Sequence, residues 1–274
     1  MKKRGHLIFA QNSDTDYVKQ AYALALSIKA HNKINEVCLV TNDSIPFEYI
    51  KAFDHVVKIP WGDMSSKSEW KIENRWKLIY CSPFTETLIY DADMLLLSSN
   101  DHYWFYCENH DLLLTEKVYD YRANIIDNNF YRKAFTENNL PNVYFGLHYV
   151  KKSKRAFEFY KWLEIIVKNY QDFYKNFTPT STQKFCSLDV SAALAFQFMD
   201  LEKTHNVLSF THMKPRIQGW HNPSDNWQEN TLIEFNDRLE LFVGNYQQTG
   251  LFHYTEDTFL TDEMIFRLEN SYGR

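Results

Sequence analysis

Two acidic residues, Asp91 and Asp93, flank a single alanine at the end of a short apolar segment, residues 87–90. Carboxylate oxygens are preferred ligands of hard cations such as Mg²⁺ and Mn²⁺, which keep coordination positions for water and substrate phosphates. A carboxylate pair at the end of a strand therefore predicts a divalent-metal site whose substrate carries a diphosphate. The pattern is short, so its weight depends on the elements that surround it.

Strands and helices alternate through the first hundred residues. Residues 6–10 form an apolar segment of strand length, and residues 17–28 carry apolar side chains at helical spacing. Residues 36–41 and 55–59 have the composition of two further strands. This alternation predicts a mainly parallel sheet. Ligands of such sheets bind beyond the carboxyl ends of strands, so the first strand and Asp91-Ala92-Asp93 are expected to share one ligand.

The second half of the chain is less regular. Apolar and aromatic side chains recur at helical spacing between residues 156 and 177, and this stripe is predicted to pack in the core. Residues 116–142 have no clear period, and a loop of that length usually carries function. The other predicted elements are strands at 112–115, 143–150 and 207–210 and helices at 188–198 and near 263–270.

Length and composition favour one α/β domain over residues 1–274 with a C-terminal extension. The chain is long enough for a substantial core, and seven glycines and seven prolines leave it poor in linkers. The net charge of −5 gives no overall basic surface for nucleic acid. No apolar segment is long enough to span a membrane. Four widely spaced cysteines without a C-x-x-C pair favour free thiols and a reduced, cytoplasmic compartment.

The order of these motifs resembles that of the glycogenin-like GT-A glycosyltransferases, which use nucleotide-sugar donors. The family opens with a strand, an Asn-containing loop, a Tyr and a helix that ends in Ser, an apolar and a basic residue. Asn12, Tyr17 and Ser27-Ile28-Lys29 match that order, and the resemblance is strongest over residues 6–97. It implies a Rossmann-like GT-A fold with a mixed, mainly parallel sheet flanked by helices.

The resemblance also implies two functional halves of the chain and a donor site. Residues 1–115 would form the nucleotide-binding half, and residues 116–274 the acceptor half and a C-terminal tail. Ala10, Asn12 and Tyr17 match the family positions that hold the nucleotide base and ribose. Arg75 occupies the place of a basic residue before the family's metal motif, and its guanidinium suits a bidentate phosphate contact.

A divalent metal, Mn²⁺ or Mg²⁺, is the cofactor that the resemblance implies. Asp91 and Asp93 match the family's metal pair, and Asp91 is also expected to lie close to the donor. The third family ligand is a late histidine in a segment that also carries a lysine and a proline. The segment around His253 is similar to the start of that motif, which favours His253. His212 precedes a Lys-Pro pair, so His212 is the alternative ligand and Lys214 an expected phosphate contact.

Two positions depart from the family pattern. Tyr144 stands where the family has an asparagine that touches the sugar, so the donor sugar stays open. Asp189 is followed by valine where the family has an Asp-Gln pair beside the anomeric carbon. Asp189 is therefore the expected catalytic residue, and the alternative is an aspartate that only complements a helix N-terminus. The resemblance suggests retention of anomeric configuration, while the missing glutamine leaves the stereochemistry open.

The expected activity is transfer of a sugar from a nucleoside diphosphate sugar, with UDP favoured, to an acceptor hydroxyl. A glycan, a protein hydroxyl and a hydroxymethylated DNA base are all compatible acceptors, and the oligomeric state stays open. A haloacid-dehalogenase-like phosphatase is an alternative, although Leu95 stands where that class has Thr or Val. A protein that binds a sugar nucleotide without turnover is the other alternative.

Overall fold

The computed structural model describes residues 3–65, 71–126, 132–180, 183–201, 207–212 and 231–272. Within these ranges the strands are β1 Arg4–Phe9, β2 Val37–Val40, β3 His55–Val57, β4 Glu86–Asp91, β5 Met94–Leu96, β6 Leu112–Thr115, β7 Lys117–Tyr119, β8 Tyr144–Lys151, β9 Ser209–His212, β10 Ile233–Phe235, β11 Leu241–Val243, β12 Tyr246–Gln248 and β13 Leu251–His253. The α-helices are α1 Tyr17–His31, α2 Phe47–Ile50, α3 Leu78–Cys81, α4 His102–Cys107, α5 Lys133–Glu137, α6 Lys154–Lys168, α7 Tyr170–Phe177, α8 Leu188–Phe198 and α9 Asp262–Tyr272, and Ile72–Lys77 and Asp257–Phe259 are 3₁₀ helices.

The central sheet has six strands in the order β3-β2-β1-β4-β8-β6. β3, β2, β1 and β4 run parallel, whereas β8 is antiparallel to both β4 and β6. The sheet is therefore mixed and mainly parallel, as predicted. Its inner strands are apolar on both faces, because Ile8 packs in the core cluster that contains α1 residues while Leu7 and Phe9 pack in the one formed with α6 and α8.

Strand register places the ends of β1 and β4 side by side. Phe9, the last residue of β1, pairs with Asp91, the last residue of β4. Both strands run in the same direction, so the residues that follow them emerge at one edge of the sheet. This edge is where the sequence predicts a shared ligand.

A second sheet, in the order β5-β13-β9-β7, lies next to that edge. β13 pairs antiparallel with β5, which places His253 opposite Met94. On its other side β13 is parallel to β9, and His253 pairs with His212. Because β5 begins at Met94, directly after Asp93, the C-terminal part of the chain is brought against the Asp91-Ala92-Asp93 segment.

Two predicted features of the second half differ from the structure. The apolar stripe between residues 156 and 177 belongs to two helices, α6 and α7, which Asn169 separates. The Asn169 side chain donates to the Ile165 carbonyl, and this local hydrogen bond helps to end α6. The unassigned residues 116–142 contain β7 and α5.

All four cysteines are buried with free thiols. Burial raises the pKa of the Cys38, Cys81 and Cys107 thiols to about 12, so they pack as small apolar side chains. Among the helices described here, none combines the length and apolar character needed to cross a membrane.

Candidate active site

Three side chains from distant parts of the chain meet at the edge of the central sheet. Asp91 ends β4, Asp93 lies directly before β5, and His253 ends β13. Each offers one ligand atom, and these atoms lie within 4.8 Å of one another. Two carboxylate oxygens and one imidazole nitrogen are a donor set that suits a divalent ion such as Mn²⁺. The three residues therefore fit a metal site.

Asp93 and His253 are in direct contact inside this cluster. Asp93 Oδ2 lies 3.0 Å from His253 Nε2. Burial acts to raise the pKa of Asp93, but the charge and hydrogen bond of the His253 imidazole outweigh it and lower that pKa below its ordinary value. The Tyr254 N–H also donates to the Asp93 carbonyl, which fixes the end of β13 against the acidic segment. Asp93 is thus held as an anion, the form that binds a cation.

The Asp91 carboxylate lies between Arg75 and Gly146. Arg75 Nη1 donates to Asp91 Oδ1 at 2.7 Å, and the guanidinium lies 4.5 Å from the centroid of the Phe9 ring. A Cβ at residue 146 would stand 2.8 Å from Asp91 Oδ2, so the missing side chain leaves room for the carboxylate. The buried Nε of Arg75 has no hydrogen-bond partner among the described residues.

A cleft of about 570 Å³ opens over these residues. This volume is in the usual range of small-molecule sites. The predicted residues that line it are Tyr17, Arg75, Asp91, Asp93, Asp189, His212 and His253. The cleft thus brings together site residues from both halves of the chain.

Two of the predicted donor contacts lie outside the cleft lining. Ala10 is buried at the end of β1. The Asn12 side chain holds the start of α1, because its Oδ1 accepts a hydrogen bond from the Val18 N–H at 3.0 Å. Gln11, between these two residues, does line the cleft, and its Oε1 accepts a hydrogen bond from Asn74. Its place two residues after the end of β1 was the sequence signal for this residue.

Asp189 lies in the first turn of α8, whose N-cap is Ser187. Its Oδ1 accepts a hydrogen bond from the Phe145 N–H at 2.8 Å, and its Oδ2 accepts one from Arg132 Nη1 at 2.8 Å. The side chain is still 28% exposed and faces the cleft. Asp189 therefore connects α8 to β8 and also borders the space where a ligand would lie.

His212 lines the cleft, whereas Tyr144 is buried. The His212 ring lines the cleft with its centroid 4.7 Å from that of His253, but the three-residue ligand cluster contains His253 and not His212. Tyr144 is buried, and its hydroxyl donates to the Ile126 carbonyl. Lys214 lies outside the described residues.

Several cleft residues were not predicted. Lys71, Thr255 and Glu256 line the cleft, and Lys71 Nζ donates to the Ser65 carbonyl at 2.9 Å. Thr255 has a φ of 61°, which is unusual for a β-branched residue. Thr255 and Glu256 lie two and three residues after His253, so their closeness to a predicted ligand was the available signal.

Comparison with known proteins shows which solved structures have a similar fold. No protein-family model matches the chain, and no curated protein matches it either. The chain is similar to the glycosyltransferase GlyE of Streptococcus pneumoniae TIGR4, with 12% identity over 78% of this chain and a TM-score of 0.39, and it spans only 46% of the length of GlyE. It is also similar to the galactosyltransferase LgtC, solved with donor and acceptor sugar analogs, with 13% identity over 98% of this chain and 95% of LgtC and a TM-score of 0.54. An active-site mutant of LgtC gives a TM-score of 0.52. Over nearly its whole length, this chain has the GT-A-like α/β fold of LgtC.

Proposed function

We propose that this protein transfers a sugar from a nucleoside diphosphate sugar to an acceptor hydroxyl, with a divalent metal held by Asp91, Asp93 and His253. The observation that carries this proposal is the convergence of these three ligands beneath a cleft that Arg75 and Asp189 also line. The likeness to LgtC supports it, since LgtC is a galactosyltransferase of the same fold.

The donor set indicates which metal the site would prefer. Mg²⁺ favours all-oxygen coordination, whereas a mixed set of carboxylates and imidazole suits Mn²⁺ better. Bound there, the cation would supply positive charge to the diphosphate leaving group as the glycosidic bond breaks. Mn²⁺ is therefore the proposed cofactor, with Mg²⁺ as the weaker substitute.

The side chains of the cleft have distinct roles in this proposal. Arg75 holds the donor diphosphate through guanidinium N–H groups that Asp91 does not use. Tyr17 and Gln11, which also line the cleft, contact the nucleoside. Asp189 faces the sugar and stabilises the positive charge that develops at the anomeric carbon. Residues 1–115 are proposed to form the nucleotide-binding half, and residues 116–274 the acceptor half, which also contributes Asp189 and His253 to the donor site.

The donor and the stereochemistry are proposed more narrowly. UDP is the proposed nucleotide, and UDP-galactose is the first donor to test because LgtC is a galactosyltransferase. Retention of configuration at the anomeric carbon is the proposed outcome, which NMR of the product would report. The acceptor is a hydroxyl of a glycan, a protein or a modified DNA base.

Thermal unfolding with ligands tests the nucleotide and metal parts together. A ligand that binds only the native state raises stability by about 2.7 kcal/mol at a hundredfold excess over its dissociation constant. We expect UDP with Mn²⁺ to raise the melting temperature by several degrees and UDP with EDTA to raise it less. The matched control is Asp93→Asn, which should lose the Mn²⁺-dependent part. Equal shifts with Mn²⁺ and with EDTA would contradict a metal bridge between protein and nucleotide.

The phosphatase alternative has less support. Leu95 is fully buried in β5, and the segment after Asp93 packs in the second sheet. Incubation with Mn²⁺ and either a UDP-sugar or a phosphomonoester decides between the two activities, because a transferase would release UDP from the UDP-sugar and a phosphatase would release inorganic phosphate from the phosphomonoester. A binding protein without turnover would show the thermal shift and release neither product.

A further inference from the structure

Arg132 lies directly behind the Asp189 side of the cleft and is almost fully buried, with 4% exposure. Each of its three nitrogens donates a hydrogen bond: Nε to Asn142 Oδ1 at 2.7 Å, Nη1 to Asp189 Oδ2 at 2.8 Å and Nη2 to the Val143 carbonyl at 2.6 Å. The two acceptors other than Asp189 lie in the segment that enters β8. The guanidinium thus ties the start of β8 to the first turn of α8.

Two aromatic rings restrict the same guanidinium. Its central carbon lies 3.7 Å from the centroid of Phe135 and 3.8 Å from that of Tyr144. A planar cation between two rings, with its donors directed at three acceptors, has little freedom to rotate or shift. A lysine would keep the charge but could not stack in this way or reach all three acceptors.

The other contacts of Asp189 lead to the metal cluster. The Phe145 N–H donates to Asp189 Oδ1, and the next residue, Gly146, lies against Asp91 Oδ2. Two consecutive residues of β8, Phe145 and Gly146, therefore position the carboxylates of Asp189 and Asp91. Arg132 is the cation that pairs with Asp189 beside a cleft that Asp91 and Asp93 also line.

We propose that Arg132 is a positioning residue that holds the Asp189 carboxylate fixed at the place where the sugar of the donor lies. This inference rests on the proposed function, because it requires that the cleft bind a sugar donor next to Asp189. Arg132 is not among the residues that line the described cleft, so it would affect a bound donor through Asp189.

Donor hydrolysis by Arg132→Lys provides the first test. We expect kcat for release of UDP from UDP-galactose, or from whichever UDP-sugar the wild type hydrolyses, to fall at least tenfold, while KM changes less than threefold. The matched control is Arg4→Met, which breaks another partly buried arginine pair, with Glu86 at 2.8 Å, away from the cleft. That control should lose stability and keep the wild-type kcat.

The double variant Arg132→Lys with Asp189→Asn separates positioning from a general structural effect. If Arg132 acts through Asp189, the lysine substitution should change kcat less than threefold in the Asp189→Asn background. An equal fall of kcat in both backgrounds, or an unchanged kcat in the single variant, would overturn the proposal. Arg132→Met leaves Asp189 without its cation, so its instability should be partly relieved when Asp189→Asn is added.

Hydrogen exchange at the Phe145 amide gives a readout that does not require turnover. This amide donates to Asp189, so its exchange should quicken in Arg132→Lys and stay unchanged in Arg4→Met. Unchanged exchange would overturn the proposal even with an active enzyme. If the wild type hydrolyses no nucleotide sugar but the Phe145 amide still exchanges faster in Arg132→Lys, Arg132 does hold Asp189 in place. That result would instead contradict the proposed function and the catalytic role that the inference gives to Arg132.

Discussion

At the scale of single residues, Asp189 has a structural and a chemical role at once. Its carboxylate accepts hydrogen bonds from Arg132 and from the Phe145 N–H, and it also faces the cleft. The sequence left open whether this aspartate only complements the N-terminus of α8. The ion pair adds a second structural contribution, so loss of stability alone cannot decide the question, and kcat has to be measured beside it.

Asp189→Asn should lower kcat for donor hydrolysis on the order of a hundredfold or more with little change in donor affinity, because the lost charge matters most in the transition state. The substitution removes the charge that pairs with Arg132, while asparagine still accepts the Phe145 hydrogen bond. The free energy of unfolding should therefore fall by only about 1–3 kcal/mol. Asp172→Asn is the control, since Asp172 lies in the first turn of α7. A wild-type kcat in Asp189→Asn would remove this residue from catalysis.

The two neighbouring histidines should differ in their effect on metal binding. His253 Nε2 is 3.0 Å from Asp93 and belongs to the ligand cluster, whereas His212 only faces the His253 ring. His253→Ala should therefore weaken Mn²⁺ affinity at least tenfold, and His212→Ala should weaken it less. Calorimetric titration of both variants with Mn²⁺ measures the difference, and the reverse ranking would transfer the ligand to His212.

At the scale of elements, the pairing of β4 with β8 shapes the metal cluster. Gly146 on β8 leaves the space that the Asp91 carboxylate fills, and an added Cβ would meet Asp91 Oδ2 at 2.8 Å and Met94 Cε at 3.2 Å. The usual reason for glycine, a positive φ, does not apply at this position, because the positive-φ glycines of the described chain are elsewhere. Glycine is needed here because a side chain would collide with the Asp91 carboxylate.

Gly146→Ala should displace the Asp91 carboxylate and lower Mn²⁺ affinity at least tenfold. Val150→Ala, on the same strand but away from Asp91, is the control: it should lower stability by about 0.5–2 kcal/mol through lost packing and leave Mn²⁺ affinity unchanged. Calorimetric titration and thermal unfolding of both variants separate the two effects. Equal Mn²⁺ affinity in Gly146→Ala and the wild type would show that Asp91 tolerates the added methyl group.

Local periodicity predicted most elements, but it could not predict how they meet. The apolar pattern of 188–198 gives α8 with its observed bounds, since helix spacing is a local property. β5 and β13 are three residues each, too short for a periodic signal, and their pairing brings His253 to Asp93. Asp91 and Asp93 were expected from their place at a strand end, His253 was expected only from a family resemblance, and Arg132, within an unassigned segment, was not expected at all.

At the scale of the whole molecule, two buried histidines couple the fold to pH. His6 on β1 contacts the Tyr90 hydroxyl and the Ile34 carbonyl, and His148 on β8 contacts the Tyr160 hydroxyl and the Phe145 carbonyl. Burial lowers the pKa of His6 to about 4 and that of His148 to about 3. Both side chains are therefore neutral in the native protein near neutral pH.

Stability should fall as the pH decreases from 6.5 towards 4. Below about pH 6.5 the unfolded chain binds protons at these histidines while the native state does not, so the contribution is fully present above that pH and is lost on acidification. Each histidine should remove about 2 kcal/mol between pH 7 and pH 5. Chemical denaturation across this range measures the slope, and His148→Gln should reduce it. A free energy of unfolding that stays constant from pH 7 to pH 5 would contradict buried neutral histidines.

The most direct test of the proposed activity is release of UDP from a panel of UDP-sugars by the wild type and by Asp91→Asn and Asp93→Asn, each with Mn²⁺ and with EDTA. Both carboxylates are partly exposed in the cleft, with 24% and 17% of their side chains accessible, so the variants should keep the fold, which circular dichroism checks. We expect the wild type with Mn²⁺ to hydrolyse at least one donor, and EDTA or either substitution to abolish hydrolysis. Full hydrolysis by a folded Asp91→Asn or Asp93→Asn variant, or by the wild type in EDTA, would contradict a metal-dependent transferase built on these residues.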